Sequence, residues 1–553
     1  MARKKKHGSK RSVIIWGVVV VAAIVIGVYY AMAKNSNDSA TYKTIHWSLP
    51  TDISTLDLSK NTDAYSNTII GNTTSNLLRV GNNAKVELDF AKKVTHSKYG
   101  LTYTATLRKG LKFSNGDPIT AANFVYAWRR IVDPKTGSQY AYLASGVKNA
   151  DKIMANKAKV STLGVKAKGK YTIVFKLEKP MAQFKYYLAF SNFMPLEKSI
   201  VDKYGKKYGS SSSSLVYSGP YVATGWNGTS ETITLKKNKY YWNAKNIKTD
   251  KIVFEVVKQP ENAVQMFKQG QLDFAPISTS DLYAANKSNK ASKYVPEARA
   301  TYLEYNQTGT VKALSNKNIR EALNLSINRK ELASQVSGGV FKAGTGLAPT
   351  GLATLPNGTD LAKYAKQDYR YDPSKAKQLW KKGLKQLGTS KVTLSLLASA
   401  TDDPITKSTG DYLIGAWEKA LPGLTVKAKY VTFQQRLTDQ ENQKFDINIG
   451  SWAGDYPEGS TFYDMFTTGA SYNDGKFSNK AYDKALKKAS TVDALSDTKR
   501  NKDYKDAEAA LYKESNFSPL YFRGGYDLIN PAVKGVVYNA TGLTTDLTHA
   551  YKK

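Results

Sequence analysis

The chain has 553 residues, more than one hydrophobic core supports, so two or three domains are expected. It has no cysteine and only four scattered histidines (His7, His46, His96, His549), which excludes a disulfide framework, a thiolate metal site, a cysteine nucleophile and a lipid carried on an N-terminal cysteine. The net charge is +36, but only 13 of the 81 basic residues are arginine. Lysine spread along a whole chain does not make the concentrated, arginine-rich patch of a nucleic-acid binder; it fits solubility and loose attraction to a polyanionic surface.

The N-terminus sets the compartment. A basic cluster (Arg3–Lys6, Lys10, Arg11) precedes the uncharged run Val13–Met32. As a helix rising ~1.5 Å per residue, that run spans ~30 Å, the thickness of a bilayer's hydrocarbon core. Trp16 and Tyr29-Tyr30 sit near its ends as interface anchors do. The expectation is an uncleaved transmembrane signal anchor that leaves the body outside the cell, bound to the membrane through Val13–Met32. The alternative is cleavage after Ala33. Residues 34–40 read as a polar linker.

Along the body, residues 42–49 and 100–109 read as strands, the second with Leu101, Tyr103, Ala105 and Leu107 in strict alternation. The turn Gly110–Pro118 is expected to draw its positive φ values from Asn115-Gly116. Thr120 is placed to cap a helix whose Phe124, Trp128 and Ile131 share one core-facing side and which stops at Asp133-Pro134. Gly209 and the serines 210–214 read as a flexible joint. Strands follow at 171–177, 232–235 and 252–257, with a helix at 260–269. The second half alternates helices (318–327, 329–337, 373–388, 405–420, 433–441, 481–490, 498–515) with strands (392–397, 424–431, 518–522, 533–537), which implies α/β lobes.

The stretch Phe445–Phe462 stands out. Phe445, Ile447 and Ile449 alternate with Asp446, Asn448 and Gly450, a strand with one buried face. It runs into Gly450, Gly454, Pro457 and Gly459, where pairing stops and backbone approaches closely. An aromatic plate (Trp452) and a carboxylate (Asp455) sit there, three residues apart. Free backbone, a flat apolar surface and one anion suit an extended peptide with a free amino terminus; an ordinary turn with Asp455 bonding its own backbone is the other reading.

Enzyme signals are weak. Gly164–Lys170 approaches a phosphate loop, but Tyr171 stands where a hydroxyl at a helix start is needed. Gly344-Thr-Gly346 lacks the third glycine of a dinucleotide fingerprint. No nucleophile elbow or calcium loop is present, and no cofactor or metal is implied.

Four ordered segments carry a resemblance: Gly110–Trp128 with Asp133-Pro134; Ser218–Tyr221 with Leu235–Trp242; Ile319–Arg329; and Trp452-Ala-Gly-Asp455-Tyr-Pro-Glu. Together they resemble the oligopeptide-binding proteins of peptide ABC transporters, solute-binding protein family 5, over residues 42–540. The resemblance implies a two-lobed, type II binding-protein α/β fold with an extra subdomain in the first lobe: lobe I over 41–306 with an insertion near 65–213, lobe II over 307–520, and a return to lobe I over 521–553. It implies a monomeric, non-enzymatic receptor that takes an oligopeptide and delivers it to an ABC permease and its ATPase subunits. By matching position Asp455 would hold the ligand's ammonium group beside Trp452. Backbone at Ser451–Ala453, and at Thr51, Asp52 and Ile53 on the other lobe, would pair with the peptide as an added strand. Basic residues that catch peptide carboxylates in some relatives are not matched here, where Ile449 and Gln440 occupy the region. A dedicated pheromone or sensory receptor of the same fold, and a surface protein that binds anionic wall polymer, remain as alternatives.

Overall fold

The computed structural model describes residues 44–401 and 403–553. The expected anchor Val13–Met32 and the linker lie outside them. Among the described residues no helix is long and apolar enough to cross a membrane.

One sheet organises the molecule. Its strands run in the order Leu424–Tyr430, Val392–Ala398, Ile447–Ala453, Ser292–Tyr305, Phe517–Ile529, Phe274–Ile277, Thr44–Leu49, Lys251–Val256, Thr232–Lys237 and Tyr221–Thr224, with Lys342–Ala343 added to Phe517–Ile529. The two long central strands carry the chain between the halves. Ser292–Pro296 pairs with Leu528–Gly524, Ala300–Glu304 pairs with Phe522–Phe517, and the register shifts between Pro296 and Ala300. Pro296 has no N–H to give a ladder, so the pairing must be interrupted there. Opposite it, Gly524 leaves room for Tyr294, whose hydroxyl lies 2.3 Å from where a Cβ would stand.

Strand directions follow from this ladder. Ile447–Ala453 runs antiparallel to Ser292–Tyr305 with Ala453 opposite Arg299, so its carboxyl end points at the register shift. On the other side Phe274–Ile277 runs towards the shift, and Thr44–Leu49 runs parallel to it. Both halves therefore aim strand carboxyl ends at the junction, the customary place for a ligand in an α/β protein.

A second sheet, ordered Ala91–His96, Thr102–Leu107, Thr172–Lys176 and Val165–Ala167, is covered by the helix Ala121–Val132. Trp128 on that helix stacks on Phe193 at 3.9 Å and meets Phe175 edge-on, so the aromatic stripe is core, as expected. The helices Pro373–Leu387, Pro404–Ala420 and Phe433–Glu441 match the sequence reading, each started by a side chain (Asp372, Asp403, Thr432) that accepts from first-turn N–H groups.

Four expectations are corrected. Residues 209–214 are not a flexible joint: Gly209 O accepts from Leu56 N at 2.8 Å, Ser214 is buried, and Ser212 is bonded to Trp226 O at 2.8 Å through its N–H. Gly209, at φ 75°, lies so close to Asp57 that any side chain would collide, which explains the glycine. In the Gly110–Pro118 turn Gly116 adopts positive φ but Asn115 does not. The strand beginning near Phe445 is buried on both faces from Ile447 through Gly450, as in an interior strand of a sheet covered on both sides. The late strand is longer than 518–522, since Gly524-Gly525 lie within it, and Ser292–Tyr305 was not legible as a strand at all.

Candidate functional site

The site is built on the exit of Ile447–Ala453. Along one edge this strand pairs with Ser292–Tyr305 through Ala453. Along the other it meets Val392–Ala398 only at Ile447 and Asn448. From Ile449 to Ala453 that second edge carries no paired strand among the described residues. Ser451 and Ala453 are exposed and Trp452 is half-buried, its ring 5.1 Å from that of Tyr472.

The following loop is held firmly. Gly454 N donates to Ala298 O at 2.8 Å, and Asp455 N donates to Thr461 Oγ1 at 3.0 Å. Glu458 is buried and accepts from Arg500 Nε and from Tyr504 Oη, both at 2.8 Å. The Arg500 cation beside it holds the Glu458 carboxyl below its ordinary range against the cost of burial. Asp455 is thus displayed by a fixed backbone. Its carboxylate has no hydrogen-bond or ion-pair partner among the described residues, and burial pushes its pKa up to about 6. The reading in which Asp455 bonds its own turn fails. Burial, and then the Asp455 charge, push the phenols of Tyr140 and Tyr142 up, so these rings face it from the other half. Tyr456 meets Tyr187 edge-on at 5.7 Å, and a cavity there is lined by Asp455, Tyr456, Asn76, Phe190 and Leu543.

On the other half, Pro50–Ile53 extends from the carboxyl end of Thr44–Leu49. Thr51 and Asp52 are exposed and Ile53 is buried in the core. Asp52 pairs with Lys258 at 2.8 Å, so its carboxylate is not free. The backbone groups of Thr51, Asp52 and Ile53 have no hydrogen-bond partner among the described residues. Backbone without a hydrogen-bond partner among the described residues therefore lies near the junction from each half.

Sequence reading missed three arginines. Arg299, Arg436 and Arg523 come together around a cavity of about 260 Å³ beside Ser451 and Trp452. They arrive from three distant parts of the chain, and no local pattern marks them.

Two lobes joined by a pair of shared strands, with open strand edges and an unpaired carboxylate at the junction, define a hinged binding protein. The chain matches the model of the bacterial extracellular solute-binding proteins, family 5, over residues 85–474, and it belongs to that family. It is 42% identical over 564 aligned residues to a dipeptide-binding protein of Lactococcus lactis, covering 100% of both chains. Among solved structures it is similar to Listeria monocytogenes OppA bound to peptide, at 31% identity and TM-score 0.68, covering 92% of this chain and 99% of that one. It is also similar to the unliganded open form of MppA, the murein tripeptide-binding protein of Escherichia coli, at 25% identity and TM-score 0.81, covering 92% and 97%.

Proposed function

We propose that this protein is the extracytoplasmic receptor of a peptide ABC importer, capturing oligopeptides between its lobes and presenting them to the permease. The observation that carries the reading is the unpaired Asp455 carboxylate beside the open strand edge Ile449–Ala453. A free peptide supplies what is missing on both counts: an ammonium for the acid, and backbone donors and acceptors for the edge. Trp452 offers a flat apolar floor, and Thr51–Ile53 offers the open backbone for the other side of the ligand as the lobes close about Pro296–Ala300. Such recognition through main chain depends little on sequence. The names of the Lactococcus and Listeria relatives support peptide as the ligand. The segment Val13–Met32 would tether the receptor near its permease.

Native mass spectrometry of the full-length chain, incubated with a mixed peptide pool, tests this. Retention of short peptides, released intact, is expected. A chain that stays empty, or that returns cleaved peptides, overturns the proposal.

A further inference from the structure

We propose that the outer face of the second sheet is a docking surface for a bilayer of anionic lipid headgroups. Lysine runs along the whole chain, but not evenly. Residues 91–207 hold 23 Lys and Arg against six Asp and Glu. Within them, residues 148–176 hold eight lysines and a single acid, Asp151, which accepts from Ser145 Oγ at 3.2 Å. All eight lysines are exposed, and none of their ammonium groups has an ion-pair or hydrogen-bond partner among the described residues. Gly164–Lys170, which approaches a phosphate loop in sequence, lies in this segment. In the fold it forms the edge strand Val165–Ala167 and the turn into Thr172–Lys176.

The register gathers charge on one side of the sheet. Phe175 faces the covering helix, where it meets Trp128, and its pairing partners Val165 and Tyr103 are buried with it. The alternate residues face away. Lys166 stands opposite Val174 on the edge strand, and Lys168 continues the alternation by donating from its N–H to Thr172 O at 2.8 Å. Lys176 lies opposite Thr102, and Lys93 on the far strand lies opposite Thr106. Between these lysines the outward positions are threonines, with Thr104 at the centre. No acid and no aromatic ring stands among them. Strands ~4.8 Å apart and alternate residues ~7 Å apart make a plate roughly 15–20 Å on a side.

That pattern selects the occupant. Lysine is a compact point charge that needs no bidentate partner, and a threonine hydroxyl can donate to a phosphate or carbonyl oxygen. The face carries no ring on which a nucleic-acid base could stack. A planar array of phosphate headgroups meets such a plate over its whole area, and each lysine adds an attraction that falls off within a Debye length. Reach follows from the tether proposed above. The eleven residues between Met32 and Thr44 extend to at most about 40 Å. Thr44 opens a strand whose Ile45 shares one hydrophobic core with Trp128 and Phe175. The tether and the plate therefore belong to the same half of the molecule.

The absence of cysteine supplies a clean test. Thr104→Cys gives one labelling site at the centre of the face, and Ser390→Cys gives one at an exposed bend of the other half. The full-length labelled chain is mixed with vesicles of phosphatidylcholine alone, or with about one-third phosphatidylglycerol, whose headgroups carry a fluorescence quencher. Quenching at position 104 should rise about threefold or more in the anionic vesicles, change little at position 390, and fall back at high salt. Lys166→Gln, Lys168→Gln and Lys176→Gln together should remove most of the rise at an unchanged melting temperature. Equal quenching in both vesicles, an equal rise at position 390, or a rise that survives high salt overturns the inference. So does a response at position 104 to soluble polyphosphate that anionic vesicles do not produce, which would give the face to a polymer. A chain that floats with anionic vesicles alone keeps the docking face and loses the tether; one that floats with neither loses both.

Discussion

Asp455 is a carboxylate that the fold partly buries and leaves without a partner among the described residues, and this costs stability unless a ligand completes it. Burial raises its pKa to about 6, above the ordinary carboxylate value near 4. An ammonium group pairs with the ionised form, so peptide binding pulls the pKa down and expels a proton wherever the free protein is protonated. Affinity for free-amino peptides should be flat above about pH 7 and fall roughly tenfold per unit below pH 6. Asp455→Asn should lower affinity about 10- to 100-fold, the worth of a charged hydrogen bond, and abolish that pH dependence, while N-acetylated peptides lose little. Competition binding between pH 7.5 and 5 measures both. Equal losses for blocked and free peptides would remove Asp455 from the role.

The loop that follows the strand depends on an ion pair in the second lobe. Arg500 and Glu458 are 4% and 3% exposed, and Arg500 also donates to Ala494 O and to Asp497. Arg500→Leu leaves Glu458 buried and unpaired, which costs about 3–5 kcal/mol. A lower melting temperature and weaker peptide binding are expected together; replacing Glu458 by Gln in the same chain should recover much of the stability. Calorimetric unfolding of the parent chain and the two variants checks this. The elements around this loop were legible in unequal measure. Helices with a capping side chain and a 3.6-residue pattern could be read directly, as at Asp372 and Asp403. Ser292–Tyr305 could not, because Pro296, Glu297 and Arg299 break its alternation where the register shifts; the pattern of a strand shared by two lobes is set by two cores at once. Asn448 misled for a similar reason: a polar residue in a central strand marks an outward face only when that face is solvated, and here it is buried. Asp455 and its aromatic neighbour were legible because they lie within one short segment. The arginine cavity is assembled by the fold alone.

At the scale of the whole molecule, charge and hinge combine. Glu304, Asp464, Glu508 and Asp527 are pushed up to about 7, in each case first by burial. Groups raised in the folded state bind protons there that the unfolded chain has released, so their stabilisation is full below about pH 4 and is lost as pH rises towards 7. Exposed carboxylates work the other way at the acid end, since their neutralisation leaves the +36 chain to repel itself. The melting temperature should therefore be higher at pH 6 than at pH 8 and decline again below about pH 5, which scanning calorimetry will show. Closure draws on the same architecture. Asp455 belongs to one side of the register shift, Arg299 and Arg523 lie within it, and the backbone at Thr51–Ile53 belongs to the other side. On the peptide reading, the ligand's ammonium end would dock at Asp455 on the second lobe alone, and its main chain would reach across. Ligand shifts the lobes by the difference in what it contacts in the two states, so on this reading main-chain pairing, not charge, would drive the closed form. Solution scattering should register a contraction when an ordinary tripeptide saturates the protein. A peptide N-methylated at its internal amides keeps both charged ends but loses its strand donors, and should bind more weakly with little contraction. Equal contraction by both peptides would mean that the charged ends close the lobes, and the strand-pairing account of the hinge would have to be abandoned.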